Sequence, residues 1–147
     1  MALEVSKNRV SGPLAAPPIS GIQCSPFGVI PKKSQPGKWR LILDFSSPHG
    51  HSVNDGISRE QFSLRYISVD TAITVLMELG LGVLMVKFDV ECAYHNIPNH
   101  ESERCLLGMP WRDQYFVDLT LPFGLRSAPY ILDSVGPITT SGSCSIT

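Results

Sequence analysis

The strongest constraint on the fold of this 147-residue chain is a nearly continuous apolar run, GVLMVKFDV, at residues 82–90. A strand that is apolar on both faces lies in the middle of a sheet whose two faces are covered. The run therefore predicts a central strand. The wider apolar stretch, residues 71–86, contains Glu78 and two glycines and is too short and interrupted to span a membrane.

The first part of the chain predicts an arm, a hairpin and a loop. Residues 1–26 include SGPLAAPPIS, and this Pro- and Gly-rich composition is typical of an extended, irregular arm. The apolar segments FGVIPKK and KWRLILDFS flank SQPG, which predicts two strands joined by a turn. The Pro, Gly and Asn-Asp-Gly content of SSPHGHSVNDGISRE then indicates a long loop.

Helices are predicted on both sides of the central strand. Ser68 is a good N-cap, Asp70 complements the helix dipole in the first turn, and Gly80 is a typical stop. Apolar residues at helical spacing give this helix one packing face. After the strand, residues 91–96 predict a short helix that ends at Pro98.

The last part of the chain predicts a second hairpin and a helix. RCLLGM and QYFVDLTL flank PWRD, and in the second of these strands apolar residues alternate with positions expected to be polar or exposed. PFGLRSAPYILDSV indicates a turn followed by a helix that Gly136-Pro137 ends. The Ser-, Thr- and Gly-rich tail is expected to be disordered.

Charge and cysteine usage narrow the class of protein. The net charge of −1 argues against a stand-alone nucleic-acid binder that relies on overall positive charge, although a local basic patch stays open. The four cysteines are scattered without a C-x-x-C pair, so we expect neither a structural zinc site nor a disulfide framework. The N-terminal sequence has no apolar leader, which predicts an intracellular setting.

Two residues near the end of the apolar run are candidates for chemistry. Asp89 ends the predicted strand, where a carboxylate either binds a hard cation such as Mg²⁺, caps a helix or forms an ion pair. Tyr94 follows one helical turn into the next element and either stacks on a sugar or fills the core. The residues alone leave these alternatives open.

Two further segments have the composition of phosphate or ligand contacts. The first hairpin is bracketed by four basic residues, Lys32, Lys33, Lys38 and Arg40. Such side chains suit phosphates, but they are equally typical of a solvated hairpin tip. In LPFGLRSAP, residues 121–129, Gly124 permits close approach of a ligand to the backbone and the following helix favours an anion. An ordinary strand–helix connection has the same pattern.

The order of these motifs resembles that of reverse transcriptases. KWRLILDFS, KFDVECAY and LPFGLRSAP follow one another as fingers and palm motifs do in that family. Asp-x-x-x-Ala-Tyr at residues 89–94 is similar to the first palm motif, and LPFGLRSAP is similar to the second. RVSGPLAAPPI, SPFGVIPKK, GKWRLILDFSSPHGHSVNDGI and DVECAYHNIP most resemble the DIRS-like group of tyrosine-recombinase retrotransposons, and the resemblance spans about residues 8–133.

This resemblance implies an α+β fold of the right-hand polymerase class. It would comprise fingers and an incomplete palm, with an antiparallel palm sheet packed on helices. The implied organisation is an irregular arm at 1–26, a reverse-transcriptase-like unit at 27–133 and a disordered tail at 134–147. The implied activity is two-metal DNA synthesis from dNTPs on a primed RNA or DNA template, in the cytoplasm or nucleus.

The resemblance also implies roles at the metal and the sugar. Asp89 would be the catalytic residue that binds Mg²⁺, and the carbonyl of Val90 would help to bind one of the ions. Tyr94 would lie under the sugar of the incoming nucleotide and exclude a 2′-hydroxyl.

The remaining implied contacts are with nucleotide and template. Arg40, Lys33 and Lys32 would bind the triphosphate, and Phe123 and Gly124 would line the nucleotide pocket. Arg126 and Pro129 would contact the template.

The sequence departs from the family at its third palm motif. Tyr-x-Asp-Asp is missing, and the 147 residues contain no Asp-Asp pair. One carboxylate of three should bind Mg²⁺ weakly, so we expect this chain to be inactive as it stands. The alternative is a non-catalytic module that reuses the fold to bind nucleic acid or another partner. A central strand without its hairpin partner also predicts marginal stability.

Overall fold

The computed structural model describes residues 1–33, 35–86 and 89–135, and for Arg40 and Leu41 the backbone alone. The described part contains a three-stranded antiparallel sheet, in the order β1-β5-β4, and a two-stranded sheet, β2-β3. The strands are β1 (Val10–Leu14), β2 (Phe27–Pro31), β3 (Trp39–Leu43), β4 (Gly108–Trp111) and β5 (Gln114–Asp118). The mixture of helices and antiparallel sheets is compatible with the α+β class.

Short helices connect these strands. The α-helices are α1 (Ala2–Ser6), α2 (Val69–Leu79) and α3 (Ala128–Ser134). Single-turn and two-turn 3-10 helices lie at Val53–Gly56, Ala93–Asn96 and Glu101–Leu106. Within the described ranges, no helix combines the length and the apolar character that a membrane crossing requires.

The first predicted hairpin is confirmed. Strands β2 and β3 pair from Phe27 opposite Leu43 to Pro31 opposite Trp39. Beyond the last pair, the backbone N–H of Lys32 donates to the carbonyl of Lys38 at 2.9 Å, which closes the loop that contains SQPG.

The second predicted hairpin is also confirmed, with a tighter turn than expected. Pro110 and Trp111 belong to β4, so that the loop consists of Arg112 and Asp113 alone. Both residues have positive φ angles, 50° and 60°. Two-residue turns of this kind match the right-handed twist of the strands that they join.

The N-terminal residues differ from the irregular arm that their composition predicted. Strand β1 pairs with β5, placing Val10 opposite Asp118 and Ser11 opposite Val117. A Cβ atom on Gly12 would lie 2.6 Å from Cδ1 of Phe116, so a glycine is required where the strand crosses that ring. Because β1 is an edge strand, Pro13 removes no hydrogen bond from the interior of the sheet.

The predicted central strand at residues 82–90 is wrong for the residues that are described there. Residues 82–86 and 89–90 form no strand and are exposed. A strand needs a partner for its backbone hydrogen bonds, and neither sheet of the described chain pairs with this segment. Its apolar composition alone therefore does not create a strand.

The helices on either side of this segment lie where the sequence predicted them, but they are less buried than expected. Helix α2 is capped by Ser68, whose Oγ accepts from the N–H of Thr71 at 3.1 Å, and it ends at Gly80. None of its residues is buried, and the expected packing face is exposed at Ile73 and Met77 and half-buried at Leu76. The predicted helix at 91–96 is a 3-10 turn, and the predicted stop at Gly136-Pro137 and the tail from 136 lie outside the described residues.

Two apolar clusters hold the sheets together. The first contains Val10, Met109 and Phe116, against which Phe27 and Leu43 of the β2–β3 hairpin pack. The second contains Phe45, Val53 and Leu107, and Leu43 also contacts it. Burying a side chain of this size stabilises a fold by about 1.5–3 kcal/mol, so these contacts attach the hairpin to the three-stranded sheet.

Candidate functional site

The turn at Phe123-Gly124 is fixed against the end of β3. Leu121, which precedes it, is only 2% exposed and anchors the segment. Gly124 has a φ of +96°, and an added Cβ would lie 3.3 Å from the carbonyl oxygen of Leu43 and 3.7 Å from Cδ2 of Phe45. Both the backbone conformation and the close approach favour glycine at this position.

A buried asparagine holds the turn from the other side. The amide nitrogen of Asn54 donates to the carbonyl of Gly124 and to Oγ of Ser46, each at 3.0 Å. Its amide oxygen accepts from the backbone N–H of Arg126 at 2.7 Å. Asn54 is 5% exposed, and a buried amide with its bonds satisfied is a strong positional constraint.

The sequence interpretation missed Asn54 because it lies in a segment expected to be a loop. The segment instead forms the 3-10 helix Val53–Gly56, with a capping box between Ser52 and Asp55. The hydrogen bonds from Ser52 lower the pKa of Asp55 and favour its ionised form. The Ser-x-x-Asp spacing is the signal that could have revealed this helix.

Arg126, a predicted template contact, uses its guanidinium inside the protein. Its Nη1 donates to the carbonyl of Asn54 and, at 2.6 Å, to that of Ile57. These bonds connect the start of α3 to the 3-10 helix. Pro129 occupies the first turn of α3, where it is favourable. Template contact by either residue stays a prediction.

The structure brings Tyr94 and Phe123 into contact. Their ring centroids are 4.8 Å apart with an interplanar angle of 81°, an edge-to-face arrangement. His95 makes a similar contact with Phe123, at 5.3 Å and 89°. Burial raises the pKa of Tyr94, and Tyr66 raises it further. Phe123 is nevertheless 57% exposed, so part of its ring faces solvent.

Asp89 and Val90 lie apart from regular structure. Both are exposed and belong to neither sheet of the described chain. Among the residues that the structure describes, no group of three His, Cys, Asp or Glu side chains is placed to hold a metal ion. Since Mg²⁺ requires several oxygen ligands in octahedral geometry, the described residues do not assemble a magnesium site.

The predicted phosphate contacts lie around the first hairpin. Lys33 is exposed and Lys32 is half-buried just beyond β2. Arg40 belongs to β3, where its backbone pairs with Ile30. The structure thus places the backbone of all three at the end of the hairpin that lies away from the Phe27–Leu43 pair.

A cavity of about 650 Å³ lies beneath the turn. Its walls are largely apolar and come from α1, β1, the β2–β3 hairpin, β4, β5 and the turn itself. The lining residues are Met1, Glu4, Val10, Phe27, Ile42, Leu43, Asp44, Phe45, Ser46, His95, Met109, Asp118, Pro122, Phe123 and Gly124. Phe123 and Gly124 therefore belong both to the turn and to the cavity wall.

Two titratable residues of the cavity have shifted pKa values. Burial, and secondarily the charge of Glu4, raises the pKa of Asp118 to about 7. Burial lowers the pKa of His95, as does the nearby charge of Arg9, while Glu4 opposes the shift. The Nδ1 atom of His95 is buried and has no hydrogen-bond partner within the described chain.

The position of Asp118 corrects the pattern expected for β5. Alternation placed Tyr115 and Val117 on the buried face and Asp118 at a polar or exposed position. In the structure Asp118 is 7% exposed and Phe116, on the same face, is 4% exposed. Phe116 and Val117 are both buried, so both faces of β5 are covered, and the hairpin packs on the face that carries Phe116.

Comparison with known proteins links the chain to retroelement polyproteins. No protein-family model matches it. It is 28% identical over 122 residues to the retrovirus-related Pol polyprotein from transposon 412 of Drosophila melanogaster, a stretch that covers 80% of this chain and 9% of the polyprotein. It is also 28% identical over 117 residues to the genome polyprotein of Petunia vein clearing virus, isolates Shepherd and Hohn, covering 79% of this chain and 5% of that protein. The chain thus spans less than a tenth of either relative.

Proposed function

We propose that this chain is a fragment of a retroelement reverse transcriptase, of the DIRS-like group, that contributes the fingers and part of the palm. The observation that carries the proposal is the contact between Tyr94 and Phe123 at 4.8 Å. These residues come from the two segments that resemble successive palm motifs, and a shared nucleotide pocket requires that the two segments meet. The similarity to a Pol polyprotein supports the same assignment.

The proposed pocket uses the two aromatic rings and the glycine turn. Phe123 and Gly124 form its wall, and Gly124 allows the turn to lie close against Leu43 and Phe45. The edge-to-face contact restrains the ring of Tyr94, so that a rigid surface lies under the sugar. A rigid ring discriminates against the extra volume of a 2′-hydroxyl, which would select dNTPs over NTPs.

The phosphates and the template have separate proposed contacts. Lys32, Lys33 and Arg40 supply positive charge for the triphosphate. Arg126 and Pro129 lie at the start of α3 beside the turn, where a template strand would pass.

Catalysis is not expected from the described residues alone. Asp89 and the carbonyl of Val90 are the proposed Mg²⁺ contacts, and one carboxylate binds this ion weakly. We therefore propose that the chain binds nucleotide and primed template without extending the primer.

The exposure of Asp89 favours a second candidate function. A carboxylate that lies outside both sheets and belongs to no group of three potential metal ligands among the described residues is unsuited to a two-metal reaction. The Phe123-Gly124 turn and the basic β2–β3 hairpin, by contrast, are both formed in this structure. A non-catalytic nucleic-acid-binding module would need only these, and its binding would weaken steeply with salt.

The first experiment measures nucleotide discrimination. Isothermal titration of the chain with dATP and with ATP, in MgCl₂, should show tighter binding of dATP. Tyr94→Val should reduce this preference by about tenfold, the scale of one well-placed steric contact. Tyr130→Val is the matched control, since Tyr130 also makes an edge-to-face contact, with Phe62 at 5.4 Å. That variant should keep the preference.

Three outcomes separate the candidates. An unchanged preference in Tyr94→Val contradicts the role of Tyr94. Salt-sensitive binding of primed template without any nucleotide binding favours the non-catalytic module. In a longer form that carries the third palm motif, Asp89→Ala should abolish Mg²⁺-dependent extension, and retained extension would sink the assignment of Asp89.

A further inference from the structure

We propose that the cavity beneath the turn is a binding site for a small organic cation with an aromatic body, whose charged group pairs with Asp118. The cavity shares the wall residues Phe123 and Gly124 with the proposed nucleotide pocket, but Asp118 has no role in the nucleotide contacts proposed above. Its test uses no nucleotide, and it therefore stands or falls independently of the proposed function.

The register of the sheet directs Asp118 toward the cavity. Asp118 is two residues beyond Phe116, so both side chains lie on one face of β5. Val10, the register partner of Asp118, belongs to the same apolar cluster as Phe116 and also lines the cavity. Asp118 is thus the polar end of an otherwise apolar wall.

The carboxylate of Asp118 is available to a donor in the cavity. The residue is 7% exposed and lines the cavity, and no hydrogen bond from the described residues contributes to its pKa shift. An ionised buried carboxylate without hydrogen bonds is unfavourable. A ligand that carries N–H donors and a positive charge would satisfy it.

The other charged groups of the lining point to the same charge on the ligand. Glu4 and Asp44 are acidic, and Glu4 is paired with Arg9 at 3.4 Å. The basic groups of the described lining are His95 and the α-amino group of Met1. Burial lowers the pKa of His95, which favours its neutral ring over the imidazolium. Asp44 and Asp118 have no ion-pair partner among the described residues, so the lining favours a cation over a phosphate group beside Asp118.

The size and the walls of the cavity define the body of the ligand. About 650 Å³ lies within the range of small-molecule sites, which is roughly 300–1,000 Å³. Phe27, Phe45 and Phe123 line it, and aromatic faces attract both flat apolar rings and organic cations. An amidine or guanidine on an aromatic ring combines these properties and can pair with a carboxylate through two parallel hydrogen bonds.

Benzamidine is the probe. Benzamide, which has a similar shape but no charge, is the control ligand. Ligand-detected NMR or calorimetry on the full chain at pH 8 should give a dissociation constant of about 1 mM or tighter for benzamidine. Benzamide should bind at least about tenfold more weakly, because it lacks the charge.

A pair of isosteric variants tests the role of Asp118. Asp118→Asn should remove the preference for benzamidine over benzamide. Asp113→Asn is the matched control: Asp113 lies in the β4–β5 turn, outside the cavity lining, and asparagine tolerates its φ of 60°. That variant should bind both probes as the unaltered chain does.

The pH dependence is a second measurement that needs no variant. The titratable or charged groups that line the cavity with Asp118 are the α-amino group of Met1, Glu4 of α1 with its partner Arg9, Asp44 after β3 and His95. The cation binds the ionised carboxylate, so the affinity should be constant above about pH 7.5 and should fall about tenfold per pH unit below about pH 6.5. Benzamide should show no such change.

Each remaining outcome overturns the proposal. These are no binding of benzamidine at millimolar concentration, equal binding of benzamidine and benzamide, and an unaltered preference in Asp118→Asn. An affinity for benzamidine that is constant from pH 5 to pH 8 would also overturn it, even if Asp118→Asn failed to fold.

Discussion

Two regions of this molecule are both rich in apolar residues, but one buries its apolar side chains and the other exposes them. In the packed region, residues 2–57 and 97–135, Phe45 is 1% exposed and Phe116 is 4% exposed. In the exposed segment, residues 66–86, Met77 is 78% exposed and Leu84 is 91% exposed. The strands of the packed region present apolar faces to one another, whereas the exposed segment meets no such face within the described chain. An apolar segment is therefore buried only where a second apolar surface packs against it.

The largest effect is expected when one large side chain is removed from each region. Phe45→Ala should lower the free energy of unfolding by about 3–5 kcal/mol, because it opens a cavity in a packed cluster. Met77→Ala should change it by no more than about 0.5 kcal/mol, as is usual for exposed positions. Urea denaturation followed by circular dichroism measures both values. Equal losses would mean that the exposed segment is buried in solution.

The packed region should also give the chain a distinctive pH dependence. Burial holds the pKa of Asp118 near 7, above the value of 3.8 for an ordinary aspartate. The folded state therefore prefers the protonated acid, so the stability that this preference contributes is complete below about pH 3.8 and is lost as the pH rises to about 7. The loss between pH 4 and pH 7 should be about 3 kcal/mol. Denaturation of Asp118→Asn should lack this contribution, and an identical pH profile in the variant would contradict it.

A smaller effect is expected at the amide that fixes the turn. Asn54→Ala removes one partner from bonds to Ser46, Gly124 and Arg126, and it should cost about 2 kcal/mol of unfolding free energy. Asn96→Ala is the control, since the exposed Asn96 makes one side-chain bond, to the carbonyl of Glu91 at 3.2 Å. Chemical denaturation should show a change below about 0.5 kcal/mol there. Equal costs would mean that Asn54 does not hold the turn.

The smallest expected effect lies in the exposed segment. Ser68→Ala removes the N-cap of α2 and should destabilise that helix by about 1 kcal/mol. Because no residue of α2 is buried, the loss should be local. Amide exchange within α2 should become about fivefold faster, while the urea midpoint of the whole chain stays constant. A shifted midpoint would show that α2 is coupled to the packed region.

The features that the sequence predicted well depend on local signals. Both hairpins follow from turn residues between apolar segments, and the ends of α2 follow from Ser68 and Gly80. The features it predicted badly depend on distant partners. Strand β1 exists because β5 lies beside it, and residues 82–86 form no strand because the described chain provides no neighbour for them.

The residues of the candidate site also fall into those that local sequence motifs identified and those that depend on distant partners. Tyr94 and Phe123 were identified from motifs, and the structure places their rings in contact. Asn54 and Asp118 were missed, because an asparagine in a loop and an aspartate in an alternating strand resemble surface residues in sequence. Their importance arises from what packs over them, and that is set by residues distant in the chain.

The pairing of β1 with β5 has a consequence for synthesis of the chain. Val10 is synthesised roughly a hundred residues before its partner Asp118. At translation rates of about 5–20 residues per second, β1 is synthesised about 5–20 s before its partner. The three-stranded sheet therefore cannot form from the N-terminus onward. During that interval β1 has no strand to pair with, and its own Gly12 and Pro13 disfavour pairing with other chains.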